Sequence, residues 1–272
     1  MKKPNITIII LHFSKWRITK NCLDSLSKIS HPNFNYQVIL INNSLKNIHS
    51  HPLVSLSINP QKNLGFAAGN NLGIEKSQTF KPDYFLFLNN DTIVEPDFLK
   101  NLIRDLPQTH ALAGPILEHL VNQKTFYDYG GFIDWPKTQA KHCNKANYKK
   151  GSPQLRDFVS GCCLLISSHI IKQIGGFKSK YFLYLEDVEL CLRAKKNQYP
   201  TYIIPSAKIH HLGSQSSTEF KKIFYSLRNS LYLISDYAPK KYKLSSYLFN
   251  LSFYPAILIS WQLKRLKRFI FH

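Results

Sequence analysis

The sequence predicts an α/β domain with a mostly parallel central sheet and flanking helices. Three observations predict it. The first apolar run, Ile6 to Leu11, is followed by Ile18, Cys22, Leu26 and Ile29 at helical spacing and then by a second run, Tyr36 to Ile41, which makes a β-α-β start. Within Pro82 to Pro96, the five apolar residues Tyr84 to Leu88 are rich in aromatics and bounded by turn formers, as suits a strand buried on both faces. The runs Tyr36 to Ile41 and Tyr84 to Leu88 stop abruptly in polar triplets, Asn42-Asn43-Ser44 and Asn89-Asn90-Asp91. In open α/β sheets, ligands are met at the carboxyl ends of the strands. Asn and Asp are also ordinary residues for a strand exit, so each triplet alone leaves both readings open.

A chain of 272 residues, 44% of them hydrophobic, can bury one good core. Its net charge of +20, from 36 Lys and Arg against 16 Asp and Glu, makes polyanions the expected neighbours: nucleic acid, anionic lipid or phosphorylated substrates. The surplus is uneven. After Asp236 no acidic residue follows, yet Lys240, Lys241, Lys243, Lys264, Arg265, Lys267 and Arg268 do. Five cysteines, an odd number without a C-x-x-C pair, argue against a disulfide framework or a zinc site and fit a reducing cytosol. Lys2-Lys3 with the following apolar run is too short for a signal peptide, is broken by His12 and lacks a small-residue cleavage site, so it reads as the first strand.

In order, Val54 to Ile58 is a weaker third strand. Asn63 to Ile74 crowds three glycines and three asparagines at the start of a helix. Small residues let a ligand approach the backbone, and free N–H groups at a helix start favour phosphate, although the same glycines also make a tight turn. No Gly-Lys-Ser/Thr follows, so it is not a Walker loop. Glu95-Pro96-Asp97 opens a helix whose buried face is Phe98, Leu99, Leu102, Ile103 and Leu106. Ala111 to Ile116 is another strand. Phe126 to Trp135, with Gly130-Gly131 in its middle, reads as a hairpin, and the polar stretch Lys137 to Pro153 as a surface loop.

The second half opens with a strand from Phe158 to Ile166 and a two-turn helix closed by Gly175-Gly176. An aromatic-rich stretch, Phe177 to Leu185, leads to a helix that begins Glu186-Asp187-Val188-Glu189. Acids at a helix start offset its positive dipole end, or one of them accepts a proton. Thr201 to Ile204 is a strand, followed by His210-His211, of which at most one can face a site because neighbours on a strand point opposite ways. Phe220 to Asp236 is helical. Leu244 to Leu263 is apolar but interrupted by Asn250, four serines and Pro255, so it is poor for a membrane span. It suits a segment at an interface, held to anionic headgroups by Lys264 to Arg268, and equally an amphipathic helix covering the core.

Taken together, these blocks resemble the inverting glycosyltransferases of family 2, which have the GT-A fold, and most of all the bacterial rhamnosyltransferase-type members. The resemblance covers residues 5 to 235 and rests on Asn42-Asn43-Ser44, Asn63 to Ile74, Leu88 to Asp91 with its Pro96 helix, Ser160 to Arg193, and His211 to Ser217. It implies a GT-A unit over 1–236, followed by a basic amphipathic tail over 237–272. The implied activity is inverting transfer of a sugar from a nucleotide-diphosphate donor to a glycan or lipid-linked glycan acceptor. A divalent cation, Mn²⁺ or Mg²⁺, would be held by Asp91 and His211, and Asp187 would be the general base with Glu186 as the fallback. The nucleotide-sugar-binding set implied is His12, Asn42, Asn63, Gly65, Phe66, Gly69, Asn70, Asn89 and Asn90.

Two positions depart from the family pattern. Asn42 and Asn89 stand where the family usually or often has Asp, which weakens the case for a ribose 2′-hydroxyl and favours a dTDP-sugar such as dTDP-rhamnose, with a UDP-sugar behind it. The carbonyl oxygen of Asn42 could still accept from a pyrimidine N3–H. The thiols point to a cytoplasmic protein, and the basic, apolar tail leaves open either a peripheral place on the inner face of the membrane or packing on the core; no nucleic-acid partner is expected. Three rivals remain: a nucleotidyltransferase, which would want a lysine-bearing glycine loop after the first strand; a basic nucleic-acid-binding protein, which would expose its aromatics along a groove; and an inactive transferase.

Overall fold

The computed structural model describes residues 3–13, 15–31, 33–121, 124–144, 152–213 and 218–270. Strand β1 (Asn5–His12) leads through α1 (Trp16–Leu26) to β2 (Asn35–Asn42), which pairs with it in parallel from Asn5 opposite Asn35 to His12 opposite Asn42. The short β3 (Leu56–Ile58) continues the parallel sheet beyond β2. Helix α2 (Gly65–Lys76) then returns the chain to β4 (Tyr84–Asn89), parallel on the other side of β1. This half of the sheet is the one the apolar runs predict.

Beyond β4 the direction changes. Strand β11 (Cys163–Ser167) runs antiparallel to both β4 and β6 (Leu112–Val121), and β6 pairs in parallel with β12 (Thr201–His211). Antiparallel β10 (Gln154–Arg156) and β5 (Thr92–Val94) line the outer side of β12, and β7 (Lys124–Asp128) pairs with the far end of β6. The ten-stranded sheet is therefore mixed, with the order β10-β12-β6-β11-β4-β1-β2-β3.

Three further expectations change. The stretch Phe126 to Trp135 is not a hairpin: β7 joins the large sheet, whereas β8 (Gly131–Asp134) pairs with β9 (Gln139–His142), a strand lying inside the supposed surface loop. The Gly130-Gly131 pair marks a change of sheet rather than a tight turn. The strand expected from Phe158 begins only at Cys163, because Gly161 and Cys162 form a turn. Residues 145–151 of that loop and 214–217 of the His211 to Ser217 block lie outside the described residues.

Burial on both faces explains the unbroken apolar strands. Ile6, Ile8 and Ile10 pack with Cys22, Leu23 and Leu26 of α1 and with Phe98, Leu99 and Leu102 of α3 (Phe98–Arg104). Ile9, Ile39, Ile41, Phe85 and Phe87 face the other layer, against Ala67 and Ile74 of α2, Ile170 of α4 (Ser168–Ile174) and Val188 of α5 (Glu186–Lys196). Each such isoleucine contributes about 1.5–3 kcal/mol by burial.

Helix α6 (Glu219–Tyr237) is followed by α7 (Lys240–Ile270). Helix α7 is fastened through small polar residues: Ser246 Oγ donates to Trp135 O (3.0 Å), and Asn250 Nδ2 donates to Lys137 O (2.7 Å). Among the described residues no helix is long and apolar enough to cross a membrane. The side chains of Lys264 to Arg268 lie outside the description. All five cysteines are free thiols; Cys22, Cys162, Cys163 and Cys191 are buried and Cys143 is half-buried.

Candidate active site

A cleft opens at the carboxyl ends of β1, β2 and β4, lined by Leu11, Phe13, Asn43, Asn63, Gly65, Phe66, Asn89, Asn90, Asp91, Phe182 and Leu183. Of the residues expected to hold the donor, Asn63, Gly65, Phe66, Asn89 and Asn90 line it. Asn90 is oriented by its amide, which donates to Thr19 Oγ1 (2.8 Å).

Four others do not line it. His12 is buried against Trp16, and its Nδ1 meets Thr19 Oγ1 at 2.7 Å; burial depresses its pKa. That hydroxyl also accepts from Asn90, so His12 is linked to the cleft through Thr19 and Asn90. Asn42 is fully buried. Its carbonyl oxygen accepts from Ser44 N–H (3.1 Å) and Ser44 Oγ (2.7 Å), and its amide donates to Lys46 O (2.9 Å). Both acceptor positions of that oxygen serve the loop, which leaves none for a pyrimidine N3–H.

Gly69 and Asn70 also sit behind the cleft. A Cβ on Gly69 would stand 3.0 Å from Leu11, and one on Gly73 would stand 2.6 Å from Ile9, so these glycines bring α2 close to β1. Asn70 bonds its own helix at Phe66 O. The start of α2 is not an open phosphate cradle either: Gly65 N–H donates to Asn63 Oδ1 (2.8 Å) and Phe66 N–H to Phe182 O (2.8 Å). Gly65 holds φ +74°, and any Cβ there would lie 2.5 Å from Phe182 O, so only glycine fits.

Asp91 follows β4 at the cleft wall. Strand β12 runs past Ile204, through an irregular register before Lys208, and sets His211 opposite Thr92 of β5. His211 Nε2 thereby stands 3.2 Å from Asp91 Oδ1, while His210 turns the other way to Glu118 Oε1 (3.0 Å). His211 Nδ1 meets His119 Nδ1 at 3.2 Å, and burial followed by the charge of His211 depresses the pKa of His119. Neighbouring ligands of an octahedral ion with 2.0–2.1 Å bonds stand about 3 Å apart, so the oxygen and nitrogen of this pair fit two adjacent positions on one ion. Among the described residues no group of three or more His, Cys, Asp or Glu is placed to hold a metal.

Asp187 lies in the first turn of α5, behind Phe66, and does not itself line the cleft. Gly161 lies between it and the cleft: a Cβ there would stand 3.1 Å from Asp187 Cβ and 3.2 Å from Phe66. Asp187 Oδ2 accepts from Gly161 N–H (2.6 Å) and Oδ1 from Val188 N–H (2.7 Å). Burial raises its pKa, against the pull of those two bonds and the charge of His142. Glu186 is more deeply buried, its Oε2 has no hydrogen-bond partner, and burial with the neighbouring Asp187 pushes its pKa well above the usual carboxylate range. The chain enters α5 through two non-glycine residues at positive φ, Tyr184 (69°) and Leu185 (65°), a conformation that costs of order 1–3 kcal/mol per residue. Asn229 of α6, fully buried, donates to Leu183 O (2.8 Å) and Tyr184 O (2.6 Å) and holds that turn.

Sequence reading missed several residues. Asn43, not Asn42, reaches the cleft and ties it together, donating to Gly65 O (2.8 Å) and accepting from Leu64 N–H (3.3 Å). Strand alternation could have separated the two neighbours. Phe182 and Asn229 carry no such signal. Burial would lower the pKa of His142, but its bond to Asp128 (2.8 Å) and the charges of Asp128 and Asp187 raise it.

A sheet that is parallel on one side, mixed on the other and open at its strand ends is the arrangement of GT-A glycosyltransferases. Among solved structures, the chain is similar to GalNAc-T7 crystallised with UDP, GalNAc and Mn²⁺ (TM-score 0.64, 13% identity, 94% of this chain and 57% of that one). It is also similar to TarS 1–349 of S. aureus (TM-score 0.61, 12% identity, 90% and 71%). The model for "Glycosyltransferase like family 2" matches residues 4–228, and the chain belongs to that family. Its relatives include the rhamnosyltransferase WbbL of Escherichia coli K12, 26% identical over 173 residues, and the N-acetylglucosaminyl-diphospho-decaprenol L-rhamnosyltransferase of Mycobacterium tuberculosis H37Rv, 31% identical over 83 residues. Those alignments take in 59% and 30% of this chain but 66% and 27% of the relatives, so less than two thirds of either relative is spanned.

Proposed function

We propose that this glycosyltransferase moves a deoxyhexose, rhamnose first among candidates, from a dTDP-sugar to a hydroxyl of a glycan or lipid-linked glycan in bacterial surface polysaccharide synthesis, with inversion at the anomeric carbon. The observation that supports this reading is the contact of two residues remote in sequence, Asp91 and His211, at the cleft, with Asp187 behind Phe66 and Gly161. The rhamnosyltransferase relatives support the sugar, and the carboxamide of Asn89 in the cleft, where a carboxylate is common in the family, supports a base without a ribose 2′-hydroxyl. A UDP-sugar is the second reading, favoured by the likeness to a structure that contains UDP.

In this mechanism Asp91 and His211 would hold a divalent cation, Mn²⁺ ahead of Mg²⁺ for a mixed carboxylate and imidazole pair, and that ion would supply charge neutralisation for the diphosphate leaving group. Asp187 takes the acceptor's hydroxyl proton as its oxygen bonds to the anomeric carbon from the face opposite the breaking bond to the diphosphate, a role typically worth ~10²–10⁴ in rate. Its backbone bonds fix both carboxylate oxygens while leaving a lone pair on each. Glu186, buried and with a raised pKa, is the poorer base at neutral pH. The transferase unit covers residues 1–236, and 237–272 form an appended tail. Hydrolysis of dTDP-, UDP- and GDP-sugars, each with Mn²⁺ and with EDTA, tests the reading. Metal-dependent turnover of dTDP-rhamnose is expected, and clear preference for GDP-sugars would overturn the donor assignment.

A further inference from the structure

Helix α7 lies on the protein with its polarity reversed. Its inward face carries Ser246 and Asn250, both fully buried and bonded to carbonyls of the 135–137 turn, whereas Leu244 is 72%, Leu248 63% and Ile259 61% exposed. At 100° per residue, Leu244, Leu248, Leu251, Pro255 and Ile259 fall within an arc of about 80°, opposite the two buried residues. All five are exposed. A helix face turned to water ordinarily carries charge. Here the twenty residues 244–263 contain none, while Lys240, Lys241 and Lys243 precede them and Lys264, Arg265, Lys267 and Arg268 follow.

We propose that this outward face docks on an anionic bilayer surface, with α7 lying in the plane of the headgroups. Charge complementarity selects that occupant: an apolar strip bracketed at both ends by cations, with no acidic residue after Asp236, matches acyl chains beneath a layer of negative headgroups. The polar residues on the other face keep the helix fastened to the protein, and its composition is too polar for crossing. The inference goes beyond the donor and the chemistry, and neither is needed for it.

The test is co-sedimentation of the full chain with vesicles of phosphatidylcholine alone and of phosphatidylcholine with phosphatidylglycerol. Binding is expected only to the anionic vesicles and should weaken with salt. The triple variant Leu244→Ser/Leu248→Ser/Ile259→Ser should lose binding by about tenfold or more, with melting temperature and donor hydrolysis unchanged. Changing Lys240, Lys241 and Lys243 together to Gln should weaken it about fivefold per lysine. Failure to bind anionic vesicles, binding unaffected by the triple variant, or a solution dimer that the triple variant dissociates would each overturn the proposal. Loss of donor hydrolysis in the unmodified chain would instead count against the transferase reading and leave this one standing.

Discussion

The two walls of the cleft are built on different physical terms. The wall carrying Asn43, Asn63 and Asp91 is made where parallel strands end, and its side chains are set largely by short hydrogen bonds to neighbouring loops: Asn43 to Gly65, Asn63 to its own turn, Asn90 to Thr19. The wall backed by Asp187 is reached through two residues in a strained backbone region and is held by α6, more than forty residues away. The first keeps its shape by local geometry. The second keeps it only while a remote helix stays in place, so the base wall should be the easier of the two to disturb without touching the donor wall.

The sharpest way to separate them is Asp187→Asn. Transfer should fall by ~10²–10⁴ while dTDP binding, measured by calorimetry, stays as in the native chain. Parallel loss of nucleotide affinity would show that the walls are not independent. Next, Asn229→Ala removes two buried bonds to carbonyls and should cost about 2 kcal/mol. Turnover should drop and donor affinity should hold, and a variant with native turnover would show that the turn keeps itself. Asn43→Ala is the mirror experiment, at about 1–2 kcal/mol, raising the donor KM while leaving kcat nearly unchanged.

The smallest effect concerns Glu186. Its folded pKa is raised, so its contribution to stability is fully present below the ordinary glutamate range and is lost as pH rises through the folded value. Glu186→Gln should therefore raise stability by about 1 kcal/mol at neutral and alkaline pH, with the difference closing as the solution is acidified. A Tm difference independent of pH would contradict the assignment. By the same sign, the proposed base Asp187 has a raised pKa and needs to be ionised for that role, so the acidic limb of the pH–rate profile should lie above the ordinary aspartate range.

The parallel half of the fold was legible because strands buried on both faces read as unbroken apolar runs and α1 and α3 carry apolar stripes. The antiparallel half was less so. Strands β7 and β9 are short and mostly exposed or half-buried, β8 has only four residues, and their partners depend on which sheet they join, which no local pattern records. At the site, Asp91, His211 and Asp187 were singled out because their residue types sit at abrupt ends of elements, and the structure sets the first two in contact. Asn42 and His12 were misplaced because type alone does not tell a residue that meets a ligand from one that braces the loop behind it. The glycines of α2 misled for a related reason: two of them serve the approach of helix to strand.

The distribution of the thiols has a practical side. Burial raises Cys22 and Cys191 to about 12 and pushes Cys162 and Cys163 well above the usual thiol range, whereas Cys143 is partly open to solvent. Cys143 exchanges backbone bonds with Tyr129 and Gly130 and follows His142, whose charge acts on Asp187. A maleimide fluorophore or nitroxide added to the unaltered protein should attach at this one position, giving a native reporter beside the base wall.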